Sequence, residues 1–290
     1  MAIIKKGETV GLIACSNGRP IEAKVQMDAL EITLKQMGLE VKFAKTIYSV
    51  NGTPFSGTPK ERAKALMNLF TDPAVKVIFD ISGGDAANQV LPYLDFERIR
   101  KSQTPFVGLS DLSVINNAIV ACSSIPAYHY QISNLVQADK QEQLSLFKEL
   151  FFSDITDGAS YKTFPYTWIR GEFMEGEIIG GNTRCFLKLA GTKYLPDGSN
   201  RILFLESLGG GPARLMSLFT QLEQIGIFEK CSGILLGEFT EMETKGSMPT
   251  AEELLLEVTH LHQLPVAKTS FLGHGTNAHC LPLGLKMTFD

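Results

Sequence analysis

The stretch PFVGLSDLSVINNAIVACS, residues 105–123, is a short apolar strand followed at once by an apolar helix. Its turn contains Ser110 and Asp111, and either of them is placed to cap the helix. Strand-like segments of the same kind precede it, namely TVGLIACS, EVKFAKTIY and VKVIFDIS. Helical segments separate these strands. Strands that alternate with helices at this spacing predict a parallel, doubly wound α/β sheet.

The helices between these strands carry recognisable end signals. In PIEAKVQMDALEITLKQMGLE the helical periodicity stops at Gly38, and glycine is a common residue just after a helix end. In TPKERAKALMNLFTDP, Thr58 is placed as the N-cap and Pro59 occupies the first helical position. These end signals strengthen the prediction of alternating strands and helices in the first part of the chain.

After about residue 150 the local amino-acid composition changes. The segment FSDITDGASYKTFPYTWIRGEFMEGEIIGG is rich in glycine, threonine and aromatic residues, which is typical of a linker with short strands. Beyond it, RILFLES, SGILLGEFT and LPVAKTSFLGHG are candidates for buried strands, with two helical segments between them. The sequence therefore predicts an N-terminal α/β domain over residues 1–155, a linker over 156–170, and a smaller, mixed α/β C-terminal domain over 171–290.

The composition excludes several classes of partner. Of the 290 residues 44% are hydrophobic, and the formal net charge of −4 favours neither nucleic acid nor an anionic membrane as a partner. No apolar run approaches the ~20 residues of a membrane helix, and we expect no secretory signal at the N-terminus. The five cysteines are widely spread, and we expect them to be buried, reduced thiols of a cytoplasmic protein: Cys15, Cys122, Cys185, Cys231 and Cys280.

Two strand ends in the first domain carry candidate chemistry, because ligands of parallel α/β sheets bind at the carboxyl ends of strands. In VGLSD, Ser110 lies two residues after Gly108, as in the G-x-S-x-G turn that exposes a nucleophilic serine, but Leu112 replaces the last glycine. In DISGGDAAN, Gly83 and Gly84 allow a sharp turn with exposed N–H groups. From this stretch alone, Ser110 is either a nucleophile or a helix cap.

A nucleophilic serine needs a base, and histidine is the usual one at neutral pH. His274 lies between two glycines after an apolar strand, in a loop of the kind that carries active-site residues. His129, in AYHYQ, either lines a pocket or packs between tyrosines. His279 is either a neighbour of the site or a surface residue. His260 and His262 end a predicted helix, where a solvated role is expected.

The base in turn needs a carboxylate to orient it. Glu206 ends the apolar segment RILFLES, where a buried charge requires a partner, and Glu238 has a similar position in LLGEFTEME. Either is a candidate acid, and a structural salt bridge is the alternative role for Glu206. No histidine pair has the spacing of HExxH, no CxxC occurs, and LGGGPARL lacks the lysine of a phosphate-binding loop. We therefore predict no metal site and no cofactor.

Taken together, these motifs resemble the LD-carboxypeptidase family of serine peptidases, which includes muramoyl-tetrapeptide carboxypeptidases and microcin C immunity peptidases. The resemblance spans nearly the whole chain, in the order ISGGDAANQVLPYLDF, GLSD, GEIIGGNTRCFLKLAGT, LFLES and LGHGTNAHCLPLG. It implies a catalytic triad of Ser110, Glu206 and His274, with the active site between the two domains. It also implies a cytoplasmic homodimer that needs no metal.

The same resemblance implies the rest of the pocket. The backbone N–H of Asp111, together with that of Gly84 or Asp85, is expected to form the oxyanion hole. The side chain of Asp111 is then expected to be mainly a helix cap. The further candidates for lining the substrate pocket are Gly83, His129 and Asn182.

Departures from the family pattern leave the substrate open. Members that recycle peptidoglycan often have RGGYG where this chain has SGGDA, at residues 82–86, and HGP where it has HYQ. The expected reaction is release of the terminal D-alanine of a murein tetrapeptide. The alternatives are a peptide-nucleotide substrate of the microcin-immunity type, a catalytically silent protein that binds muropeptides, and an α/β-hydrolase esterase. Neither nucleic acid nor a membrane is an expected partner.

Overall fold

The structure is a computed structural model that describes residues 2–50, 52–153 and 158–290. Its strands are β1 (Thr9–Ile13), β2 (Glu40–Phe43), β3 (Val75–Asp80), β4 (Phe106–Gly108), β5 (Ala127–His129), β6 (Thr167–Arg170), β7 (Met174–Asn182), β8 (Arg201–Ser207), β9 (Gly233–Phe239), β10 (Val266–Lys268), β11 (Leu281–Leu283) and β12 (Lys286–Phe289). Its α-helices are α1 (Lys24–Gln36), α2 (Pro59–Phe70), α3 (Phe96–Ser102), α4 (Ser113–Ser123), α5 (Lys140–Phe152), α6 (Thr183–Leu187), α7 (Pro212–Gln224), α8 (Thr240–Lys245) and α9 (Ala251–Val258).

The first sheet has the strand order β11-β5-β4-β3-β1-β2. Strands β1 to β5 are parallel to one another, whereas β11 pairs antiparallel with β5 at one edge. The strand order reverses between β1 and β3, so the crossover helices cover both faces, as in other doubly wound sheets. The predicted parallel sheet of the N-terminal part is confirmed.

The second sheet has the strand order β12-β7-β8-β9-β10-β6. Strands β7 to β10 are parallel, and β12 and β6 pair antiparallel at the two edges. This confirms the mixed α/β arrangement predicted for the C-terminal part. Part of the predicted linker forms β6 in this sheet, and β11 returns to the first sheet. The predicted domain boundary at residue 155 lies outside the described residues and stays a prediction.

Helix ends follow the sequence signals where chemistry within one turn decides them. Thr58 caps α2 in a reciprocal capping box with Glu61, and Pro59 is the first helical residue. A cap of this kind stabilises a helix by about 1 kcal/mol. Gly38 follows the end of α1 with φ of +87°, a conformation that glycine adopts without strain. Both end predictions are confirmed.

The two sheets are joined through α4, whose buried polar side chains bind the end of β7. Asn117 donates from Nδ2 to the carbonyl oxygen of Gly180 at 2.6 Å, and its Oδ1 accepts from the Gly180 N–H at 2.9 Å. One turn earlier, Ser113 Oγ accepts from the N–H of Asn182 at 2.9 Å. These bonds hold the carboxyl end of β7 against the helix that follows β4. They bring the strand ends of both sheets to one place.

The five cysteines are free. Four of them are buried, but Cys122 is partly exposed, so the expectation of burial is wrong for this residue. Cys122 lies in the last turn of α4, where its Sγ faces the carbonyl oxygen of Lys193 at 3.7 Å rather than a core. Among the residues that the structure describes, no helix has both the length and the apolar character needed to cross a bilayer.

Candidate active site

Ser110 lies on a sharp turn between β4 and α4. Its φ of +61° is in the left-handed region, which non-glycine residues occupy rarely and which recurs at active sites. The turn also explains Gly108, because a Cβ at that position would lie 2.5 Å from Cβ of Leu112. The turn therefore needs the first glycine of the G-x-S-x-G pattern. Leu112, in the place of the last glycine, is buried in the core.

Glu206 and His274 form the shortest contact between candidate site residues. Glu206 is the next-to-last residue of β8 and is 0% exposed, and its Oε2 lies 2.7 Å from Nδ1 of His274. His274 comes from the loop after β10, and its side chain is 9% exposed. The other ring nitrogen, Nε2, is buried and has no hydrogen-bond partner within the described residues. The carboxylate thus holds one nitrogen of the imidazole and leaves the other available.

The pair shifts the pKa values of both its members. Burial by itself raises the pKa of the Glu206 carboxyl, but the charge of His274 and its hydrogen bond outweigh burial, so that pKa lies below its usual value. Burial by itself lowers the pKa of His274, but the charge of Glu206 and the same hydrogen bond outweigh it and raise that pKa. The pair therefore favours an ionised carboxylate beside a basic imidazole.

Glu238, the alternative acid, has a different contact. Its Oε2 accepts from the backbone N–H of Gly275 at 3.1 Å. The loop passes close to it, since a Cβ on Gly273 would lie 2.9 Å from Cβ of Glu238. Glu238 therefore holds the backbone of the loop that carries His274, whereas Glu206 contacts the imidazole. Of the two candidate acids, Glu206 is thus the one in hydrogen-bond contact with His274.

His129 lies on the other side of Glu206. It is the last residue of β5 and is 1% exposed, with Nε2 3.9 Å from Oε1 of Glu206. Its ring packs edge-on against Phe204, with centroids 5.1 Å apart. Burial lowers the pKa of His129 to about 4, although the charge of Glu206 acts in the opposite direction. The His129 imidazole is therefore neutral at neutral pH.

Strand register relates the turn of Ser110 to the strands that carry this group. Gly108, two residues before Ser110, pairs with His129 across β4 and β5. Ser113, three residues after it, accepts a hydrogen bond from Asn182, which pairs with Glu206 across β7 and β8. Both ends of the Ser110 turn thus lie against strands that lead to Glu206. The structure brings Glu206 and His274 into contact, and the participation of Ser110 in a triad with them stays a prediction.

The glycine pair after β3 forms a second turn at the same edge of the first sheet. Gly84 has φ of +130°, and a Cβ there would lie 2.3 Å from the Asn17 side chain. The N–H of Asn17 donates to the carbonyl oxygen of Gly83 at 3.1 Å. Asp85 points outward, 69% exposed, and forms an ion pair with Arg184. The turn needs glycine for both conformation and space, as the sequence predicted.

Asp111 does not cap a helix, and neither does Ser110, so that prediction is wrong. The N-cap of α4 is Leu112, and no side chain caps it. The carboxylate of Asp111 is 0% exposed instead and binds three groups. Oδ2 accepts from Ser16 Oγ at 2.6 Å and from the Ala87 N–H at 2.8 Å, and Oδ1 accepts from Lys188 Nζ at 2.5 Å. A buried charge needs such partners, and this need decides where the Asp111 carboxylate points.

Sequence reasoning missed Ser16, Ser113, Asn117 and Lys188. Lys188 carried the clearest signal, since a lysine inside the apolar stretch RCFLKLAG suggests a buried cation with a partner. Asn182, a pocket candidate, is 4% exposed and caps α6 by accepting from the Cys185 N–H at 3.3 Å. Ser16 and Lys188 bind Asp111, and Ser113 and Asn117 bind the end of β7. These partners are far apart along the chain, and no short motif records such contacts.

The other histidines lie in separate environments. His262 Nε2 contacts the carboxylate of Glu223 at 2.8 Å, and His260 is exposed. His279 is 5% exposed, with Nδ1 2.8 Å from Thr163 Oγ1. Its position is thus buried rather than on the surface. The described part of the chain contains no cluster of three or more histidine, cysteine or acidic side chains that could hold a metal ion.

Comparison with known proteins gives consistent matches. Residues 10–130 match the LD-carboxypeptidase N-terminal domain, and residues 175–289 match the LD-carboxypeptidase C-terminal domain. The chain is 26% identical to a probable murein peptide carboxypeptidase of Bacillus subtilis, covering 99% of this chain and 90% of that protein. It is 26% identical to the microcin C7 self-immunity protein MccF of Escherichia coli, with coverage of 98% and 91%. It is 28% identical to a murein tetrapeptide carboxypeptidase of Pseudomonas aeruginosa, with coverage of 92% of each.

Solved structures show the same fold. MccF in complex with glutamyl sulfamoyl guanosine has a TM-score of 0.88 at 24% identity, covering 100% of this chain and 95% of that one. A muramoyltetrapeptide carboxypeptidase from Oxalobacter formigenes has a TM-score of 0.78 at 24% identity, with coverage of 97% and 94%. Both halves of the present chain are included in each match.

Proposed function

Because this chain belongs to the LD-carboxypeptidase family, we propose that it is a serine carboxypeptidase that removes the terminal D-alanine of a murein tetrapeptide. The observation that carries the proposal is the 2.7 Å contact between Glu206 and His274, and the left-handed turn of Ser110 supports it. Relatives named as murein peptide and murein tetrapeptide carboxypeptidases support the choice of substrate.

In the proposed mechanism, Nε2 of His274 takes the proton of Ser110 as Oγ attacks the scissile carbonyl carbon. The imidazolium then gives that proton to the leaving amine of D-alanine, and the C–N bond breaks. Water attacks the acyl-enzyme with His274 again as base, which releases the shortened peptide and restores Ser110. Glu206 keeps the proton of the neutral ring on Nδ1 and stabilises the imidazolium, in keeping with the raised pKa of His274.

The negative oxygen of the tetrahedral intermediate needs N–H donors. We assign this role to the backbone N–H of Asp111 and to that of Gly84 or Asp85, which lie on the turns after β4 and β3. Loss of one such donor typically lowers kcat by about 10²- to 10³-fold. Space is open at the α-carbon of Gly83, where a Cβ would meet nothing within 4 Å, so a substrate chain can pass there. We propose that Asn182 and His129 also line this pocket.

The proposal is tested by incubating the purified protein with murein tetrapeptide and measuring the released D-alanine by mass spectrometry. We expect release by the wild type, none above background by Ser110→Ala, and wild-type release by Ser145→Ala, which changes an exposed serine on α5. A fluorophosphonate probe should label Ser110 alone. Absence of both product and label from the wild type contradicts the proposal. Binding of muropeptide without either supports a catalytically silent protein instead.

A second candidate reaction is cleavage of an aminoacyl or peptidyl nucleotide amide, as in microcin immunity. SGGDA, with Asp85 in place of the aromatic residue of RGGYG, is the feature that favours it. MccF is a relative of similar identity, and its solved complexes contain glutamyl sulfamoyl guanosine and aspartyl sulfamoyl adenosine. Measuring kcat/KM for these two compounds and for murein tetrapeptide decides between the reactions. Whichever substrate has the larger value identifies the function.

The homodimer and the cytoplasmic location stay predictions from the family resemblance. Light scattering on the purified protein measures the molar mass in solution directly. A mass close to twice the 31.8 kDa of one chain supports the dimer, and a mass close to that of one chain contradicts it.

A further inference from the structure

We propose that Lys188 is a positioning residue for the oxyanion hole. Its ammonium group holds the turn that carries Ser110 and the turn that carries Gly84 in one fixed relation. This inference rests on the proposed function, because the backbone N–H groups of these two turns are the donors assigned above. Neither the substrate nor the three residues of the triad touch Lys188 in this role.

Lys188 contacts both turns with one nitrogen. Nζ donates to Oδ1 of Asp111 at 2.5 Å and to the backbone carbonyl oxygen of Asp85 at 2.9 Å. Asp111 directly follows Ser110, and Asp85 directly follows Gly84. The lysine side chain is 18% exposed and that of Asp111 is 0% exposed, so the ion pair is largely shielded from water. A shielded pair of this kind keeps its geometry better than an exposed one.

The hydrogen bonds to the other oxygen of Asp111 come from the first half of the chain. Its Oδ2 accepts from Ser16 and from the Ala87 N–H. The backbone around these partners is held by Arg62, which is 0% exposed and donates to the carbonyl oxygens of Cys15, Ser16 and Ala86. Lys188 follows α6 of the second half. It is therefore the cation that ties this network to the half that carries Glu206 and His274, where the Cys185 thiol also contacts Asp111.

Removal of Lys188 has a definite physical consequence. Oδ1 of Asp111 loses its cation while it stays buried, and the carbonyl oxygen of Asp85 loses its donor. The two turns then relax independently, so their N–H groups no longer converge at the 2.7–3.1 Å that an oxyanion requires. A displacement of about 1 Å at such a site lowers the rate by about 10²-fold. The effect falls on the transition state and leaves substrate binding nearly unchanged.

The ion pair of Arg184 with Asp85 is a contrasting contact on the same loop. The two side chains are 42% and 69% exposed, so water screens their attraction. Arg184 also lies 3.4 Å from the carbonyl oxygen of Gly84. Because this pair does not reach Asp111, it holds one turn only. Lys188 alone of these two cations links the turns.

The first test is kinetic and compares Lys188→Met, Lys188→Arg and the control Arg201→Met on murein tetrapeptide. Arg201 begins β8, at the opposite end from Glu206, and is also partly buried in an ion pair, 25% exposed beside Glu177. For Lys188→Met we expect kcat to fall by about 10- to 100-fold with KM within about threefold of the wild type. Lys188→Arg should recover part of kcat. An unchanged kcat, or a change in KM alone, overturns the proposal.

A second variant covers the case in which Lys188→Met does not fold. The double variant Lys188→Met/Asp111→Asn removes both charges, so no uncompensated carboxylate stays buried. Its carboxamide can still accept from Ser16 and Ala87, but nothing ties it to residue 85. We expect the same loss of kcat as for Lys188→Met. Wild-type kcat in the folded double variant rules the positioning role out.

The second test needs no substrate and separates the two proposals. Hydrogen–deuterium exchange of the backbone amides is measured for peptides that cover residues 82–87 and 109–113. We expect faster exchange in both peptides of Lys188→Met, or of the double variant, and no change in Arg201→Met. Unchanged exchange contradicts the inference even if the wild type is active. Faster exchange in a protein that forms no product supports the inference about the turns while the proposed carboxypeptidase reaction fails.

Discussion

The two histidines that flank Glu206 are both largely buried, yet their pKa values shift in opposite directions. His129, at the end of β5 in the first sheet, has its pKa lowered to about 4. His274, in the loop after β10 of the second sheet, has its pKa raised. Their contacts with Glu206 differ: its Oε2 lies 2.7 Å from His274, whereas its Oε1 lies 3.9 Å from His129. The charge of Glu238 also raises the pKa of His274, and the charge of His274 also lowers that of His129. A direct hydrogen bond to the carboxylate offsets the lowering of a histidine pKa by burial, whereas proximity without a hydrogen bond does not.

The backbone explains why Glu206 forms a hydrogen bond with His274 but not with His129. His129 is paired within a strand and packed against Phe204, and its Nε2 lies 3.9 Å from Glu206. The loop of His274 is not paired in a sheet, and Glu238 binds its backbone at Gly275. The loop can therefore place its ring in hydrogen-bond contact. The first sheet supplies a neutral, packed histidine, and the second supplies a basic one with a free nitrogen.

The largest expected effect is the difference in kcat between a variant of His274 and a variant of His129. His274→Ala removes the proposed base and should lower kcat by about 10⁵- to 10⁶-fold. His129→Gln should lower kcat by about tenfold or less, because a neutral side chain without a hydrogen bond to Glu206 takes no proton. Turnover of murein tetrapeptide measures both. Comparable losses in the two variants contradict the contrast drawn between the histidines.

The next largest effect tests whether Glu206 or Glu238 orients His274. Glu206→Gln removes the charge and allows the wrong ring tautomer, so kcat should fall by about 10⁴-fold. Glu238→Gln keeps an oxygen that accepts from the Gly275 N–H, and its kcat should stay within about tenfold of the wild type. Steady-state kinetics on both variants compares them. A larger loss in Glu238→Gln assigns the acid role to Glu238.

The third effect is on the pH dependence of the free energy of unfolding, and it comes from His129. Its pKa in the folded protein, about 4, is below the ordinary value of 6.5, so between these pH values the unfolded chain binds more protons. This contribution to stability is complete above pH 6.5 and is lost as the pH falls to about 4. The loss amounts to about 3 kcal/mol of the free energy of unfolding.

Urea unfolding of the wild type and of His129→Gln at pH 7 and at pH 4 measures this contribution. The drop in the free energy of unfolding between the two pH values should be about 3 kcal/mol smaller in the variant. Circular dichroism at pH 7 checks that both proteins start folded. An identical drop in both proteins means that His129 takes up a proton without cost in the folded state.

The smallest expected effect is a shift in the acid limb of the pH–rate profile. The raised pKa of His274 means that the neutral base is lost as the pH falls through a value above 6.5, and kcat/KM should then fall by about tenfold per pH unit. In Glu206→Gln the midpoint should move to lower pH, because the charge and hydrogen bond that raise the pKa are gone. In His129→Gln it should not move. If the midpoint moves in His129→Gln and not in Glu206→Gln, then His129 rather than His274 is the base.

Much of the fold was predictable because its signals are local. The alternation of β1 to β4 with helices, the cap at Thr58 and the end at Gly38 depend on residues within one or two helical turns. The places of Ser110 and His274 after apolar strands were predictable in the same way. The role of Asp111 was not, because its side chain binds groups from segments far apart along the chain.

The sequence by itself determined which side chains follow which strands, and hence that a serine, two carboxylates and a histidine reach strand ends. Only the tertiary structure decided which of them meet. Glu206 is separated from His274 by 68 positions, and Asp111 from Lys188 by 77. Such pairs depend on strand order and on the joining of the two sheets through α4. Periodicity and capping act over a few residues, whereas a buried charge is stabilised by whatever group the folded chain brings to it.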